Sequence, residues 1–453
     1  MEADVVVVGL GVGGEEVANR LASAGRDVIG IEAELTGGEC PYWGCIPSKM
    51  MVRAAELLAE GRRIPGMAGT SVVTPDWAPV ARRIRDEATD SWNDTVAVQR
   101  FVGNGGRFVR GWARVTGPGT VEVNGERCTA RRALVLSTGQ RAFVPPAFEA
   151  VAHWTNREAV EAETLPESLL IIGGGAIGLE IGQAMSRFGT HVTVVELGER
   201  LLAPEEPEAS ELITEVLRRE GMEIHTGARI ERVEPYGATG ATVHLDGGPD
   251  LSADRMLVAT GRRSDLATLG VGALGLDEAA RGIPVDGNMR VMPGVWAVGD
   301  VTGHGGFTHL SMYQARICTA DILGLPHFEA DYRALPHVTF TDPEIGSVGL
   351  TEAAARQDGG GVTVYHASVA ASARGFIHRA EGFVKLVARD GVLVGATSMC
   401  PYGGEVLGLL TLAVHARVAV DTLRSMIFAY PTFHRAVDSA LWPPSNAANM
   451  AGA

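Results

Sequence analysis

The segment GGECPYWGCIPSK, residues 37–49, carries the residue types most able to do chemistry: Cys40 and Cys45, with four residues between them. Two cysteines at this spacing, at the start of a predicted helix, can close a disulfide and open it again. A helix N-terminus favours negative charge, so one sulfur of the opened pair should be held as a thiolate. The pattern predicts a redox enzyme that passes electrons through a dithiol.

These two cysteines could instead be ligands of a structural metal site or a pair of buried thiols. A structural zinc site usually needs four ligands, whereas Cys128, Cys318 and Cys400 stand alone in the sequence. We therefore favour the redox function and expect no metal. Five cysteines, and a start without the pattern of a signal peptide, lead us to expect a reducing cytoplasm, where a dithiol is more often catalytic than structural.

Lysine is scarce in this chain. Of 39 basic residues, only Lys49 and Lys385 are lysine. A compact ammonium on a flexible stem differs from the planar fork of arginine. A lysine four residues after Cys45 therefore suggests a function that arginine cannot perform, with chance as the alternative.

The N-terminal residues predict a dinucleotide-binding unit made of strand Asp4–Val8, a glycine loop, helix Glu15–Ala24 and strand Asp27–Ile31. Glu32 lies 23 residues after the first glycine of the loop, the right distance to bind a ribose hydroxyl. Glycines in a G-x-G-x-x-G loop allow a tight turn, a close approach of the backbone to pyrophosphate, and packing of helix on strand. Here they are Gly9, Gly11 and Gly14.

The same unit occurs a second time, as strand Leu169–Ile172, a glycine loop, helix Leu179–Phe188 and strand His191–Val195. Glu196 again lies 23 residues after the first glycine. One such loop is weak evidence, but two complete units indicate two dinucleotide sites. The glycines of the second loop are Gly173, Gly175 and Gly178.

Further apolar runs complete the expected architecture. Leu134–Gly139, Met256–Gly261 and Val295–Asp300 predict strands that return to the nucleotide sheets, with Thr138 and Gly139 as candidate cofactor-binding residues. Beyond residue 335, alternating strands and a later helix predict an α+β domain. These elements are expected at Val338–Phe340, Val362–His366, Phe383–Ala388, Leu393–Met399 and about Gly404–Ala416.

The bulk properties set limits on function. With 453 residues, 46% of them hydrophobic, the chain can form two to four domains. No apolar run is long enough to cross a membrane. The net charge of −15 argues against a nucleic-acid partner, because phosphate neutralisation needs a basic face.

Together, the dithiol and the two glycine-loop units resemble the flavoprotein pyridine nucleotide–disulfide oxidoreductases, such as glutathione reductase, dihydrolipoamide dehydrogenase and mercuric reductase. The resemblance covers essentially the whole chain. It implies an α/β fold with two Rossmann-like dinucleotide-binding domains and a C-terminal α+β dimerisation domain. It also implies a homodimer whose active site is shared between subunits. The implied domains are 1–145 and 262–330 for FAD, 146–261 for NAD(P)H, and 331–453 for dimerisation.

The resemblance also implies residue roles. The FAD pyrophosphate would lie on the first glycine loop, its adenosine ribose on Glu32 and its ribityl chain on Asp300. Cys45 would be the thiolate next to the flavin and Cys40 the sulfur that attacks the substrate. Hydride would pass from nicotinamide to flavin, the disulfide would open, and Cys40 would exchange with a small disulfide.

Two further roles follow from the same resemblance. Lys49 matches the family lysine near the flavin N5, and Glu180 matches its ion-pair partner, although Glu180 could also be an ordinary exposed charge on a helix. For the nucleotide, a 2′-phosphate needs nearby arginines and no carboxylate at the strand end. Glu196 and Glu199 would repel such a phosphate and Arg200 would attract it, so NADH is preferred over NADPH.

Departures from the family pattern leave the electron acceptor open. The family motif His-Pro-Thr-x-x-Glu supplies an acid–base histidine, but here Tyr430 replaces the histidine and Arg435 the glutamate. A phenol is a poor base at neutral pH, although it can donate a hydrogen bond. His434 could take the role or be an ordinary helix residue. Between the cysteines, Tyr42 and Trp43 could narrow the approach to Cys40 or pack under the flavin.

Three functions therefore compete. The first is a disulfide or dithiol enzyme that uses NADH. The second is a quinone, oxygen or metal-ion reductase of the mercuric type, although the cysteine pair that ends mercuric reductases does not occur in residues 449–453. The third is a flavoprotein subunit that docks into a larger dehydrogenase complex.

Overall fold

The structure, a computed structural model, describes residues 1–357 and 359–442, so the last eleven residues of the expected dimerisation domain lie outside it. The strands are numbered in chain order. They are β1 Glu2–Val8, β2 Val28–Glu32, β3 Arg107–Arg110, β4 Ala113–Gly117, β5 Thr120–Val123, β6 Glu126–Leu136, β7 Arg141–Ala142, β8 Ser168–Ile172, β9 His191–Val195, β10 Glu223–His225, β11 Ile230–Tyr236, β12 Gly240–Leu245, β13 Asp250–Ala253, β14 Arg255–Val258, β15 Arg262–Arg263, β16 Arg290–Met292, β17 Val295–Ala297, β18 Pro336–Thr339, β19 Glu344–Gly349, β20 Val362–Ser368, β21 Phe383–Arg389 and β22 Val392–Cys400.

The α-helices are numbered in the same way, and a π-helix (Ile84–Ala88) and two 3₁₀ helices (Val271–Leu274 and Asp300–Thr302) accompany them. None of the described helices is long and apolar enough to span a bilayer. The α-helices are α1 Val12–Ser23, α2 Glu39–Tyr42, α3 Cys45–Arg63, α4 Ala78–Arg83, α5 Thr95–Gly103, α6 Pro146–Glu149, α7 Asn156–Glu161, α8 Ala176–Arg187, α9 Pro207–Arg219, α10 Leu266–Leu269, α11 Thr308–Leu323, α12 Glu352–Gln357, α13 Ala373–His378, α14 Gly403–His415, α15 Val420–Arg424 and α16 Arg435–Leu441.

The first of two compact units comprises Met1–Met51, Asp76–Leu165 and Leu257–Asp331. Its main sheet has the order β16-β17-β6-β1-β2-β3, with β4 and β5 added as a hairpin beside β6. Strands β1, β2, β3, β6 and β17 run parallel. Residues 5–8 of β1 are valines, a run typical of a parallel strand covered on both faces.

Helix α1 begins three residues before the predicted start at Glu15. The prediction was wrong because it treated the whole glycine motif as a loop, whereas Gly14 lies in the first helical turn. A Cβ atom at Gly14 would lie 2.0 Å from the carbonyl oxygen of Gly9, so only glycine lets the helix start this close to the strand end. The second predicted helix also begins three residues early, at Ala176.

The second unit comprises Val52–Pro75, Pro166–Met256 and the chain from Tyr332 onward. In it, β9 pairs in parallel with β8 and β10, and β11, β12 and β13 form a separate antiparallel sheet. A five-stranded antiparallel sheet follows, in the order β18-β19-β22-β21-β20. Its apolar core includes Val384, Leu386, Leu407 and Leu410.

Most predicted C-terminal elements are observed with shifted ends, but β19 was not predicted. Its residues, Glu344–Gly349, pair with both β18 and β22 and so lie inside the sheet. Glycines at positions 346 and 349 make this strand resemble a turn in sequence. Close packing explains the first of them, since a Cβ at Gly346 would lie 2.9 Å from the carbonyl oxygen of Gly403.

Candidate active site

The two cysteines of residues 37–49, called the dithiol segment below, lie close together near the start of a long helix. Cys40 belongs to the short helix α2, and Cys45 is the first residue of α3. Both are thiols in this structure, and the Cys40 side chain hydrogen-bonds the sulfur of Cys45. The hydroxyl oxygen of Thr308 lies 3.3 Å from Cys45 Sγ. The spacing thus brings the two sulfurs together, as predicted.

The environment divides the pair into one thiolate and one thiol. The hydrogen bond from Cys40, helped by the Thr308 hydroxyl and the charge of Lys49, outweighs burial and lowers the pKa of Cys45 to about 5. The same bond, together with burial, raises the pKa of Cys40. At neutral pH Cys45 is therefore the thiolate and Cys40 the proton donor to it.

A cavity next to the dithiol is lined by all the residues predicted for the first nucleotide except Gly14. Glu32 accepts hydrogen bonds from the backbone N–H groups of Leu10 (2.6 Å) and Glu34 (2.8 Å). Burial raises the pKa of Asp300, while Arg262, 3.8 Å away, opposes that rise. The cavity is lined, among others, by Gly9, Gly11, Glu32, Cys40, Cys45, Thr138, Gly139, Arg157, Arg262, Asp300 and Thr308.

The residues that line this cavity fit FAD. A Cβ at Gly9 would meet the carbonyl oxygen of Ser137 at 2.4 Å, whereas a Cβ at Gly11 would meet nothing within 4 Å. The loop is thus closed against the sheet and open toward the cavity, where backbone N–H groups at the start of α1 can bind phosphate. Carboxylates keep free lone pairs for hydroxyl groups, so Glu32 and Asp300 suit the ribose and the ribityl chain.

The second glycine loop has the same local structure. Glu196 accepts hydrogen bonds from the N–H groups of Gly174 and Gly198, both at 2.6 Å. Gly173 has a positive φ of 109°, and a Cβ at Gly175 would again meet nothing within 4 Å. Gly178 is buried in the first turns of α8. These features fit the phosphate and ribose of a nicotinamide nucleotide.

Other predicted residues lie in the second unit. Glu180 is 6% exposed and accepts a hydrogen bond from the N–H of Phe340 (2.8 Å), so the alternative of an exposed helix charge is wrong. Tyr430 is 71% exposed, on the segment between α15 and α16. His434 is half-buried at the start of α16.

The two aromatic residues between the cysteines have different surroundings. Trp43 is buried, and its Nε1 donates to Glu161 Oε1 at 2.6 Å. Tyr42 is also buried, yet its side chain lines a second groove that Cys40 shares. Tyr42 therefore lies beside Cys40 in this groove, whereas Trp43 packs toward α7. That Tyr42 narrows the approach to Cys40 stays a prediction.

Thr308, Arg157 and Glu39 are site residues that the sequence did not reveal. Thr308 is 263 residues from Cys45 along the chain, and no motif links the two. Arg157 donates to Glu39 from Nε at 2.7 Å, and lies near the cysteines only because α7 packs there. A sequence signal existed for Glu39 alone, since it directly precedes Cys40.

The chain matches one known family over most of its length. Residues 3–316 match the family described as pyridine nucleotide-disulphide oxidoreductase, and residues 335–441 match the dimerisation domain of that family. The chain belongs to the pyridine nucleotide-disulphide oxidoreductases. It is therefore an enzyme that depends on FAD and NAD(P)H, and the predicted family and α/β fold class are confirmed. The dimerisation-domain match supports the homodimer.

Similar members of this family differ in substrate. A mercuric reductase of Bacillus cereus is 32% identical over 95% of this chain and 69% of its own length. A dihydrolipoyl dehydrogenase of Bacillus subtilis is 31% identical over 95% of this chain and 94% of its own length. In fold, the chain is similar to the Cu(II) complex of a cysteine-to-serine mutant of RclA, a HOCl-induced flavoprotein disulfide reductase from Escherichia coli. That structure has a TM-score of 0.86 and 25% identity, with 98% of this chain and 100% of the other covered.

Proposed function

We propose that this oxidoreductase uses NADH to reduce a small disulfide through the Cys40–Cys45 dithiol, or forms such a disulfide in the reverse direction. The observation that carries the proposal is the placement of the two sulfurs. Cys45 lines the cavity of the first glycine loop, whereas Cys40 lines both that cavity and a second groove beside α1 and α5. One sulfur thus faces the cofactor and the other can also face a substrate.

The lining of the second groove favours a small substrate that carries little net charge. Of the carboxylates in its lining, Glu15 is paired with Arg100 and Glu16 with Arg20, and Asn104 Nδ2 donates to Asn19 Oδ1 at 2.8 Å. Its apolar surface comes from Val12, Pro41, Tyr42, Val96, Ala97 and Met312.

The chain's own residues account for the exchange steps. Bound FAD supplies the carrier for two electrons between nicotinamide and dithiol. Cys40 passes its proton to the hydrogen-bonded Cys45 thiolate, attacks one substrate sulfur and expels the other half of the substrate as a thiolate, which takes that proton from Cys45. Cys45 then attacks Cys40, the second substrate thiolate leaves, and the Cys40–Cys45 disulfide closes. Lys49 and Thr308 keep Cys45 ionised for this attack.

A neighbouring copy supplies the hydrogen-bond donor for the leaving thiolate in this proposal. Tyr430 stands in the dimerisation domain at the position of the family histidine, and its side chain is largely exposed in the single chain. A phenol O–H can donate to a thiolate, although it is a weak base. We place Tyr430 of one subunit beside Cys40 of the other, with His434 as the alternative.

The preference for NADH rests on Glu196 and on the engagement of Arg200. Arg200 donates to Ser210 Oγ at 2.6 Å and to the carbonyl oxygens of Ala203 (2.6 Å) and Leu202 (3.4 Å). The guanidinium is therefore engaged by its own loop and by Ser210 of α9, while a carboxylate lies at the strand end where a 2′-phosphate would bind.

Steady-state kinetics of single-cysteine variants test the function. With NADH and a panel of small disulfides, the wild-type protein should turn over at least one of them, and Cys40→Ser and Cys45→Ser should each lose that activity. Turnover that persists in both variants would exclude the dithiol from the reaction.

Reduction of a metal ion or quinone is the second candidate, and the replacement of the family histidine by Tyr430 favours it. The similarity to relatives named mercuric reductase and to the Cu(II) complex of RclA also supports reduction of a metal ion. Retained metal-ion or quinone reduction in Cys40→Ser, with disulfide reduction lost, would identify this second function. The limits of the four predicted domain segments stay a prediction, as does the docking role in a larger complex.

A further inference from the structure

Helix α7 contacts the dithiol segment, residues 37–49, at Glu39 and Trp43. Its start is fixed by a capping box, in which Thr155 Oγ1 accepts from the N–H of Arg157 and Glu158 Oε2 accepts from the N–H of Thr155. A capped first turn holds its side chains in place. Asn156, Arg157 and Glu161 of this helix all touch residues of the dithiol segment.

Arg157 makes two kinds of contact with that segment. Its Nε and Nη2 atoms donate to Glu39 Oε1 at 2.7 and 2.5 Å, and Nη2 also donates to Glu34 at 2.7 Å. Its guanidinium carbon lies 4.1 Å from the ring centroid of Trp43. Arginine provides both the planar fork and the stacking surface that these contacts need.

Glu39 and Trp43 are the two residues through which α7 can act on the sulfurs. Glu39 directly precedes Cys40, and Trp43 stands two residues before Cys45. Asn156 Nδ2 adds bonds to Glu39 Oε2 (3.0 Å) and to the carbonyl oxygen of Trp43 (3.1 Å).

We propose that Arg157 is a positioning residue, which holds the segment that carries Cys40 and Cys45 through Glu39 and Trp43 and neutralises the carboxylate of Glu39, the residue directly before Cys40. This inference rests on the proposed redox function of the dithiol. Without Arg157, the charge of Glu39 lacks its cation and the segment is free to shift. Both effects destabilise a thiolate at Cys45.

The test follows the pH dependence of iodoacetamide alkylation at each cysteine in the chemically reduced holoprotein, read by peptide mass spectrometry. The wild-type midpoint for Cys45 is expected near pH 5. Arg157→Gln should shift it upward by about one pH unit, and Arg157→Lys, which keeps the charge but not the fork, by less. Glu39→Gln combined with Arg157→Gln should move the midpoint back toward the wild-type value.

Arg85→Gln is the matched control, because Arg85 pairs with Glu163 at 2.9 Å on the surface and is expected to leave the midpoint unchanged. A wild-type midpoint in folded Arg157→Gln would overturn the proposal. If Arg157→Gln does not fold, the test rests on Arg157→Lys. An unchanged pH midpoint for alkylation of Cys45 in Arg157→Lys would contradict a role for the planar guanidinium group. A failure of the proposed redox function would be seen separately. In that case, treating the wild-type protein with NADH would produce no new thiols that can be alkylated.

Discussion

Glu32 and Glu196 occupy equivalent positions in the two nucleotide-binding units. Each carboxylate accepts, at 2.6 Å, the N–H of the second residue of its glycine loop, Leu10 in one unit and Gly174 in the other. Each glutamate also accepts the N–H of the residue two positions after itself, Glu34 in one unit and Gly198 in the other. The two copies therefore share one hydrogen-bond pattern that fixes the loop and leaves the remaining lone pairs for a ribose.

The choice of nucleotide should depend on Glu196. We expect Glu196→Ala to lower the ratio of kcat/KM for NADH to kcat/KM for NADPH about tenfold, equivalent to about 1.4 kcal/mol, because the carboxylate no longer repels a 2′-phosphate. Glu199→Ala, at an exposed position in the same loop, is the control and should change the ratio less. A wild-type preference for NADPH, or an unchanged ratio in Glu196→Ala, would contradict this assignment.

The thiolate at Cys45 should depend on the Thr308 hydroxyl. Because the pKa of Cys45 is lowered to about 5, the thiolate is present above that pH and is lost as the pH falls through it. Thr308→Val keeps the shape but removes the hydroxyl, so the pH midpoint for alkylation of Cys45 should rise. Thr308→Ser keeps the hydroxyl and should behave like wild type. Equal midpoints in Thr308→Val and Thr308→Ser would rule out this hydrogen bond.

The second lysine of the chain should stabilise the fold. Lys385, 3% exposed, contacts Glu206 (3.0 Å), Glu208 (2.7 Å) and Glu352 (2.9 Å) in the second unit. Lys385→Met would leave the buried carboxylate of Glu206, and the partly exposed ones of Glu208 and Glu352, without their cation, and should lower the free energy of unfolding by about 3–5 kcal/mol.

Urea denaturation measures this effect, with Arg219→Met as the control. Arg219 forms an exposed pair with Glu381, and such surface pairs contribute about 1 kcal/mol or less. Lys385 also helps to hold the pKa of Glu352 below its ordinary value, so its stabilising effect is present at neutral pH and declines as the carboxylates become protonated. Equal losses in the two variants would show that the buried cluster has no special role.

Local patterns were the part of the molecule that the sequence could predict. The glycine loops, the strands beside them, and the pairing of Cys40 with Cys45 depend on residues close together in the chain, and they were located to within a few residues. Thr308 and Arg157 were missed because each reaches the dithiol only through tertiary packing. The roles expected of Lys49 and Glu180 were inferred from family resemblance and stay predictions, because no local sequence pattern specifies an ion pair between distant residues.

The most direct test of the redox function is an anaerobic titration of the purified protein with NADH, followed in the visible spectrum. If Cys45 is a thiolate against the flavin, a long-wavelength charge-transfer band should appear in the wild-type protein and be absent from Cys45→Ser. Bleaching of the flavin without that band in the wild-type protein would show that the dithiol is not coupled to the cofactor, and would contradict the proposed function.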